Sequence, residues 1–257
     1  MASTLVFADD SSPSADVAWL WINQQDWRDW RIEVVAAHKG QAPESFEFTE
    51  WQPAKPRKLL SAADAVEITH LETRCDPRIG LRSAADRDLL VVGARGRGLL
   101  KSLHLGSTAE SLMQDPPTPL VIARHGATVQ NVVIATDGSA DSWAAIKAFA
   151  SLPLSAQAEV VVVVVSETGI SPESLIDEVS EFLTGKVKSL RGEIIVPDTL
   201  SLFYHPRDSI IECVKQTSAD LLVLGTRGLS RTQEFGAGSI ASSLASHAGA
   251  SVLMAKA

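Results

Sequence analysis

Short apolar runs alternate with segments of helical periodicity along the whole chain, the arrangement expected of βαβ units built around a parallel sheet. In the C-terminal half the strand-like runs cover residues 132–136, 159–165, 193–203, 220–225 and 251–255. Residues 160–165 are an unbroken row of valines, which fits a strand covered on both faces. Helical patterns are expected over 140–152, 172–190, 207–218 and 239–247. Ser171-Pro172 reads as an N-cap followed by proline at the first helical position. The N-terminal half shows matching strands near 4–8, 32–37, 65–72, 88–93 and 120–123.

The two halves are copies. Asp88-Leu89-Leu90-Val91-Val92-Gly93-Ala94-Arg95-Gly96 returns 132 residues later as Asp220-Leu221-Leu222-Val223-Leu224-Gly225-Thr226-Arg227-Gly228. At the same offset Gly106-Ser107 becomes Gly238-Ser239, and residues 119–124 become 251–256. The first strand with its turn, residues 6–12, matches residues 133–139 at an offset of 127. A repeat in order and spacing places domains at 1–127 and 128–257. The symmetry fails between the second and third strands. There the first copy carries Pro43, Pro53 and Pro56, each worth about 3 kcal/mol against a helix interior. A loop with one short helix near 57–63 is expected instead. Trp19, Trp21, Trp27, Trp30 and Trp51 also fall in the first copy, and are expected in packing rather than as a ligand platform.

Candidate chemistry rests on glycines. Gly93-x-x-Gly96 is followed by nine residues and then Gly106-Ser107; Gly225-x-x-Gly228 is followed by nine and then Gly238-Ser239. Each set begins where a strand ends and finishes where a helix starts, at the carboxyl edge of a parallel sheet. Glycine lets backbone approach a ligand closely, and a helix N-terminus offers unpaired N–H groups and a positive dipole end to phosphate oxygens. Ser107 and Ser239 are placed to cap those helices or to offer hydroxyls to a phosphate. No G-x-x-x-x-G-K-[ST] sequence occurs, and the glycines follow the fourth strand rather than the first, so neither a P-loop nor a dinucleotide fingerprint fits.

With these motifs the chain resembles the tandem, ATP-binding form of the universal stress protein family, whose signature is G-x-x-G-x(9)-G-[S/T], and the resemblance spans essentially the whole sequence. It implies an α/β fold of two tandem doubly wound, five-stranded parallel-sheet domains of Rossmann-like type. It further implies ATP across the carboxyl edge of each sheet, with Mg²⁺ or Mn²⁺ held largely by phosphate and water. Asp10 and Asp137 would sit beside the adenosine, and the backbone near Ala36 and Val164 would face adenine. Gly93, Gly96, Gly106, Ser107 and Thr108 would wrap ribose and phosphates in the first copy, as would Gly225, Gly228, Gly238, Ser239 and Ile240 in the second. The last strands are expected to pair the domains as an intramolecular pseudo-dimer, with a homo-oligomer also open.

Charge changes this picture only in detail. The 257 residues carry a formal net charge of −8, with −3 in residues 1–128 and −5 in residues 129–257, so neither half suits nucleic acid. No apolar run approaches membrane-spanning length, no secretory signal pattern opens the chain, and Cys75 and Cys213 read as reduced thiols. A cytoplasmic protein is expected. The loop with Arg95, Arg97, Lys101 and His104 is more cationic than that with Arg227, Arg231 and Glu234, favouring triphosphate in the first copy. The irregular proline segment argues for the second, and the sequence leaves the choice open. The leading expectation is a stress-response module regulated by ATP occupancy, with little turnover. A slow ATPase or self-phosphorylating protein using Asp10, Asp137, Ser107 or Ser239 is the enzymatic alternative. A nucleotide-free interaction protein with vestigial motifs is the third. The six histidines show no metal-ligand spacing.

Overall fold

The computed structural model describes residues 2–37, 49–50, 65–96, 105–165, 171–196, 205–228 and 238–257. Two compact units divide the chain, Met1–Thr128 and Val129–Ala257. In the first, β1 (Ser3–Asp9), β2 (Trp30–Ala37), β3 (Thr49–Glu50), β4 (Glu67–Thr73), β5 (Leu89–Gly93) and β6 (Leu120–Ala123) lie in the order β3-β4-β2-β1-β5-β6. All pairs are parallel except β3 with β4. The helices are α1 (Pro13–Asn23), α2 (Pro77–Gly80) and α3 (Ser107–Gln114). In the second unit β7 (Asn131–Thr136), β8 (Glu159–Val165), β9 (Ser189–Ile195), β10 (Leu221–Gly225) and β11 (Ser251–Ala255) lie in the order β11-β10-β7-β8-β9, all parallel. Its helices are α4 (Ala140–Ser151), α5 (Pro172–Leu183), α6 (Pro206–Gln216) and α7 (Ser239–His247).

Each sheet therefore winds outward in both directions from its first strand. The order reverses between β1 and β5 and between β7 and β10, and a crevice opens at the carboxyl ends of strands at such a switch point. The central strands are buried on both faces, as the valine run of β8 and residues 89–92 and 221–224 show. α1 crosses β5 and β6, and α4 crosses β10 and β11. α4 turns Ser142, Ala145, Ile146 and Phe149 inward at helical spacing. The described tryptophans of the first unit are core residues. Trp27 stacks edge-on against Trp30 at 5.3 Å, lies 6.3 Å from Trp21, and donates its indole N–H to the Ile22 carbonyl at 2.8 Å.

Two expectations need correction. The helix expected over 172–190 stops at Leu183, because Gly185 takes a φ of +77° that ends a right-handed helix. Strand β9 consequently starts at Ser189, four residues before the expected 193, and pairs Leu190 with Val160. The first sheet also gains a two-residue antiparallel strand, β3, beyond the five parallel strands expected. The Ser171 cap holds: its hydroxyl accepts the Ser174 N–H at 3.3 Å. The short helix expected near 57–63, residues 197–203 of the expected third strand, and Trp51 lie outside the described residues.

Candidate nucleotide site at each switch point

The site is built twice from the same parts. After β1 the chain turns through Asp10 and Ser11 into α1; after β7 it turns through Asp137 and Gly138 into α4. Ser11 has a φ of +58° and Gly138 of +77°, so both turns need the left-handed region, which only the second fills with glycine. Asp10 Oδ1 accepts the Ser12 N–H at 2.9 Å, and Asp137 Oδ1 accepts the Ser139 N–H at 3.0 Å. Ser12 and Ser139 are the N-caps: their hydroxyls accept from Ala15 N at 3.1 Å and Ser142 N at 3.2 Å.

The same two hydroxyls reach sideways. Ser12 Oγ donates to the Arg95 carbonyl at 3.4 Å, and Ser139 Oγ to the Arg227 carbonyl at 3.1 Å. The first-strand turn is thus tied to the glycine turn after β5 or β10. Close packing here explains the first glycine of each motif. A Cβ on Gly93 would lie 2.6 Å from the Ser14 carbonyl oxygen, and one on Gly225 2.5 Å from the Ser142 nitrogen. The second glycine faces the carboxylate: a Cβ on Gly96 would lie 3.1 Å from Asp10 Oδ2, and one on Gly228 2.6 Å from Asp137 Oδ2. The third closes the loop. Gly106 N–H donates to the Ala94 carbonyl and Gly238 N–H to the Thr226 carbonyl, both at 2.8 Å.

Gly106 and Gly238 are also the N-caps of α3 and α7, with no side-chain cap bond. Of the two roles expected of Ser107 and Ser239, capping or offering hydroxyls to a phosphate, capping is not theirs: they are the first helical residues and are exposed, because the glycines already hold the extended cap conformation. The amides of both first turns have no capping side chain to accept them, and the positive dipole end lies with them. Thr108 is half-buried and Ile240 exposed on the same turns. Ala36 and Val164 occupy equivalent places: Ala36 is in register with Asp9 and Val164 with Thr136, one residue before Asp10 and Asp137. Asp10, Ala36, Gly93, Gly96 and Gly106 are therefore brought to one switch-point edge, and Asp137, Val164, Gly225, Gly228 and Gly238 to the other.

The cationic complement is partly visible. Arg95 lies between the glycines, and Arg124 follows β6, whose Ala123 carbonyl accepts the Ala94 N–H at 3.2 Å. Burial first, and the Arg95 charge second, pull Arg124 below the ordinary guanidinium range. Arg97, Lys101, His104, Arg231 and Glu234 lie outside the described residues. Asp9 is engaged in its turn: its Oδ1 accepts the Ser11 N–H at 2.7 Å. Sequence reasoning missed the bridging serines, whose signal was the Asp-x-Ser repeated after both first strands. It also missed Asp141, which accepts the Thr226 hydroxyl at 2.6 Å and the Ala257 N–H at 3.0 Å.

Among the described residues no helix is long and apolar enough to cross a membrane. The profile of the universal stress protein family matches residues 1–124 and again 128–256. A universal stress protein of Synechocystis sp. is 27% identical over 158 residues, covering 60% of this chain and 53% of that protein. One of Mycobacterium tuberculosis is 27% identical over 135 residues, covering 50% of this chain and 42% of that protein. The chain thus spans about half the length of these curated relatives. Among solved structures, a universal stress protein from Archaeoglobus fulgidus superposes with a TM-score of 0.68 at 16% identity, covering 100% of this chain and 99% of that one. A protein of Pseudomonas aeruginosa gives 0.59 at 15% identity, covering 99% and 92%. With its profile matched twice in tandem, the chain belongs to the universal stress protein family.

Proposed function

We propose that the chain is an ATP-binding stress protein whose nucleotide occupancy sets its conformation or its affinity for partners, with little turnover. The observation that carries this is the pairing, in both units, of a glycine beside an aspartate carboxylate with a helix start whose amides have no side-chain cap. A row of N–H donors at a helix N-terminus is the donor set that phosphoryl oxygens require. The absent side chain at Gly96 and Gly228 leaves room for a ribose against Asp10 and Asp137, whose carboxylates suit its hydroxyls. Ala36 and Val164 present backbone and small apolar side chains to a purine. Magnesium or manganese would enter with the triphosphate and be held mainly by phosphate oxygens and water, since hard cations accept oxygen ligands of that kind.

The duty the carboxylates already have supports low turnover without requiring it. Asp10 and Asp137 each spend one oxygen on a turn amide, so their first duty is to hold the turn. Calorimetric titration of the full chain with MgATP tests the reading. Saturable binding is expected, and a variant carrying both Gly106→Glu and Gly238→Glu should lose it while keeping its far-ultraviolet dichroism. Failure of the wild-type chain to bind MgATP at millimolar concentration overturns the proposal.

A further inference from the structure

Among the described residues, β9 is the outermost strand of the second unit, with β8 on its inner side. Its counterpart in the first unit, β4, is partly covered on its outer edge by β3. An uncovered edge presents a row of N–H and C=O groups to any strand that can match it. The edge also carries apolar surface, with Ile194 37% and Val196 74% exposed. Natural proteins tend to blunt such edges or to use them.

The residue order makes this edge self-complementary. β9 reads Ser189-Leu190-Arg191-Gly192-Glu193-Ile194-Ile195. Arg191 Nη1 lies 3.1 Å from Glu193 Oε2, so the two charges share one face of the strand. The opposite face carries Gly192, where a Cβ would meet Ile176 of α5 at 2.5 Å. Reversed about Gly192, the strand is its own complement. An antiparallel copy centred there sets Arg191 against Glu193 and Leu190 against Ile194, each pairing occurring twice. Lys188 then falls opposite Val196, its aliphatic stem available to cover that side chain. Directly opposed charges and apolar pairs stabilise an antiparallel ladder, and like charges in those places weaken it.

We propose that the β9 edge is a self-association surface, on which two copies of this chain pair antiparallel about a two-fold axis at Gly192. The contact is isologous, with one patch meeting itself. Main-chain hydrogen bonds supply the attraction, and the Arg191–Glu193 and Leu190–Ile194 pairs fix the register. One short strand from each copy makes a small interface, so the dimer is concentration-dependent rather than obligate.

Sedimentation velocity of the full chain from low to high micromolar concentration, with the light-scattering mass of each species, tests the proposal. The wild type should move from monomer to dimer across that range. Arg191→Glu, at an exposed position, should raise the dimer dissociation constant about tenfold or more, since it replaces two attractive pairs by two repulsive ones. Arg191→Glu combined with Glu193→Arg restores opposite charges across the axis and should restore the dimer. Amide exchange in β9 should slow as concentration rises. Thermal midpoints near wild type in both variants show that the fold is intact. A wild type that stays monomeric throughout overturns the proposal, as does a dimer that neither variant alters.

Discussion

Where the first and second strands hand over to their loops, the two units carry different rows of side chains. The first sets Asp9, Ala36 and Glu72 in register across β1, β2 and β4. The second sets Thr136, Val164 and Ile194 across β7, β8 and β9. The turns beside these rows are nearly identical, so the duplication kept the cradle and changed its floor. Two carboxylates stand in the first floor, one of them paired with Arg74; the second floor is a buried hydroxyl bonded to Ser142 of α4 and two aliphatic chains. A polyanion bound near the first floor meets more like charge than one near the second. Under the function proposed above, the floor favours the second unit, in opposition to the more cationic loop of the first.

The largest effect expected from this comparison separates the two glycine turns. Gly238→Glu should weaken calorimetric ATP affinity about a hundredfold, by placing a carboxylate and its bulk at the helix start proposed above to receive phosphate. Gly106→Glu should leave the main binding event nearly unchanged; the reverse ranking breaks the comparison. A smaller effect tests the floor itself. Asp9→Asn keeps an acceptor for the Ser11 N–H and removes one charge. It should raise the first unit's ATP affinity about tenfold or less, read in the Gly238→Glu background so that the second unit is silent. An unchanged affinity would show that the Asp9 charge is screened from the ligand.

The smallest effect is in pH. His70 of β4 stands in register with Val34, while the matching place in the second unit is Gly192, in register with Val162. Burial holds the His70 imidazole below the usual histidine value, against a weaker opposing pull from Asp9. A base whose folded value is depressed binds its proton more readily when unfolded. Stability from this group is therefore present above the unfolded value and declines as pH falls through about 6.5. The first unit should soften slightly in mild acid, and His70→Gln should flatten that response. Urea unfolding followed by tryptophan fluorescence reports mainly on this unit, which holds five of the six tryptophans. A steeper acid response in the second unit would contradict the assignment.

Much of this was legible in the sequence, for reasons that particular residues make plain. The valine run of β8 and the Ser171-Pro172 start of α5 carry strong local signals, and the structure places both as read. Gly93, Gly96 and Gly106 were legible by spacing alone; at Gly93 and Gly106 a Cβ would run into backbone, at 2.6 Å and 2.9 Å, while at Gly96 it would only crowd the Asp10 carboxylate at 3.1 Å. The onset of β9 was not legible, since Ser189-Leu190-Arg191 continues a helical pattern and only Gly185 marks the stop. The reach of Ser12 to Arg95 and of Ser139 to Arg227 was hidden as well, as contacts separated by more than eighty residues have no local signature. The contrast between the two floors needed strand register, which a single sequence does not print.

The Gly106–Ala94 and Gly238–Thr226 bonds pinch each glycine loop shut at its neck. Each strand end and the helix start that follows it are therefore fastened to one another by main chain, with no side chain in the clasp. Because the clasp is backbone alone, a duplicated chain keeps it through side-chain changes on either side, which is why Ala94 and Thr226 can differ while the bond stays at 2.8 Å in both units.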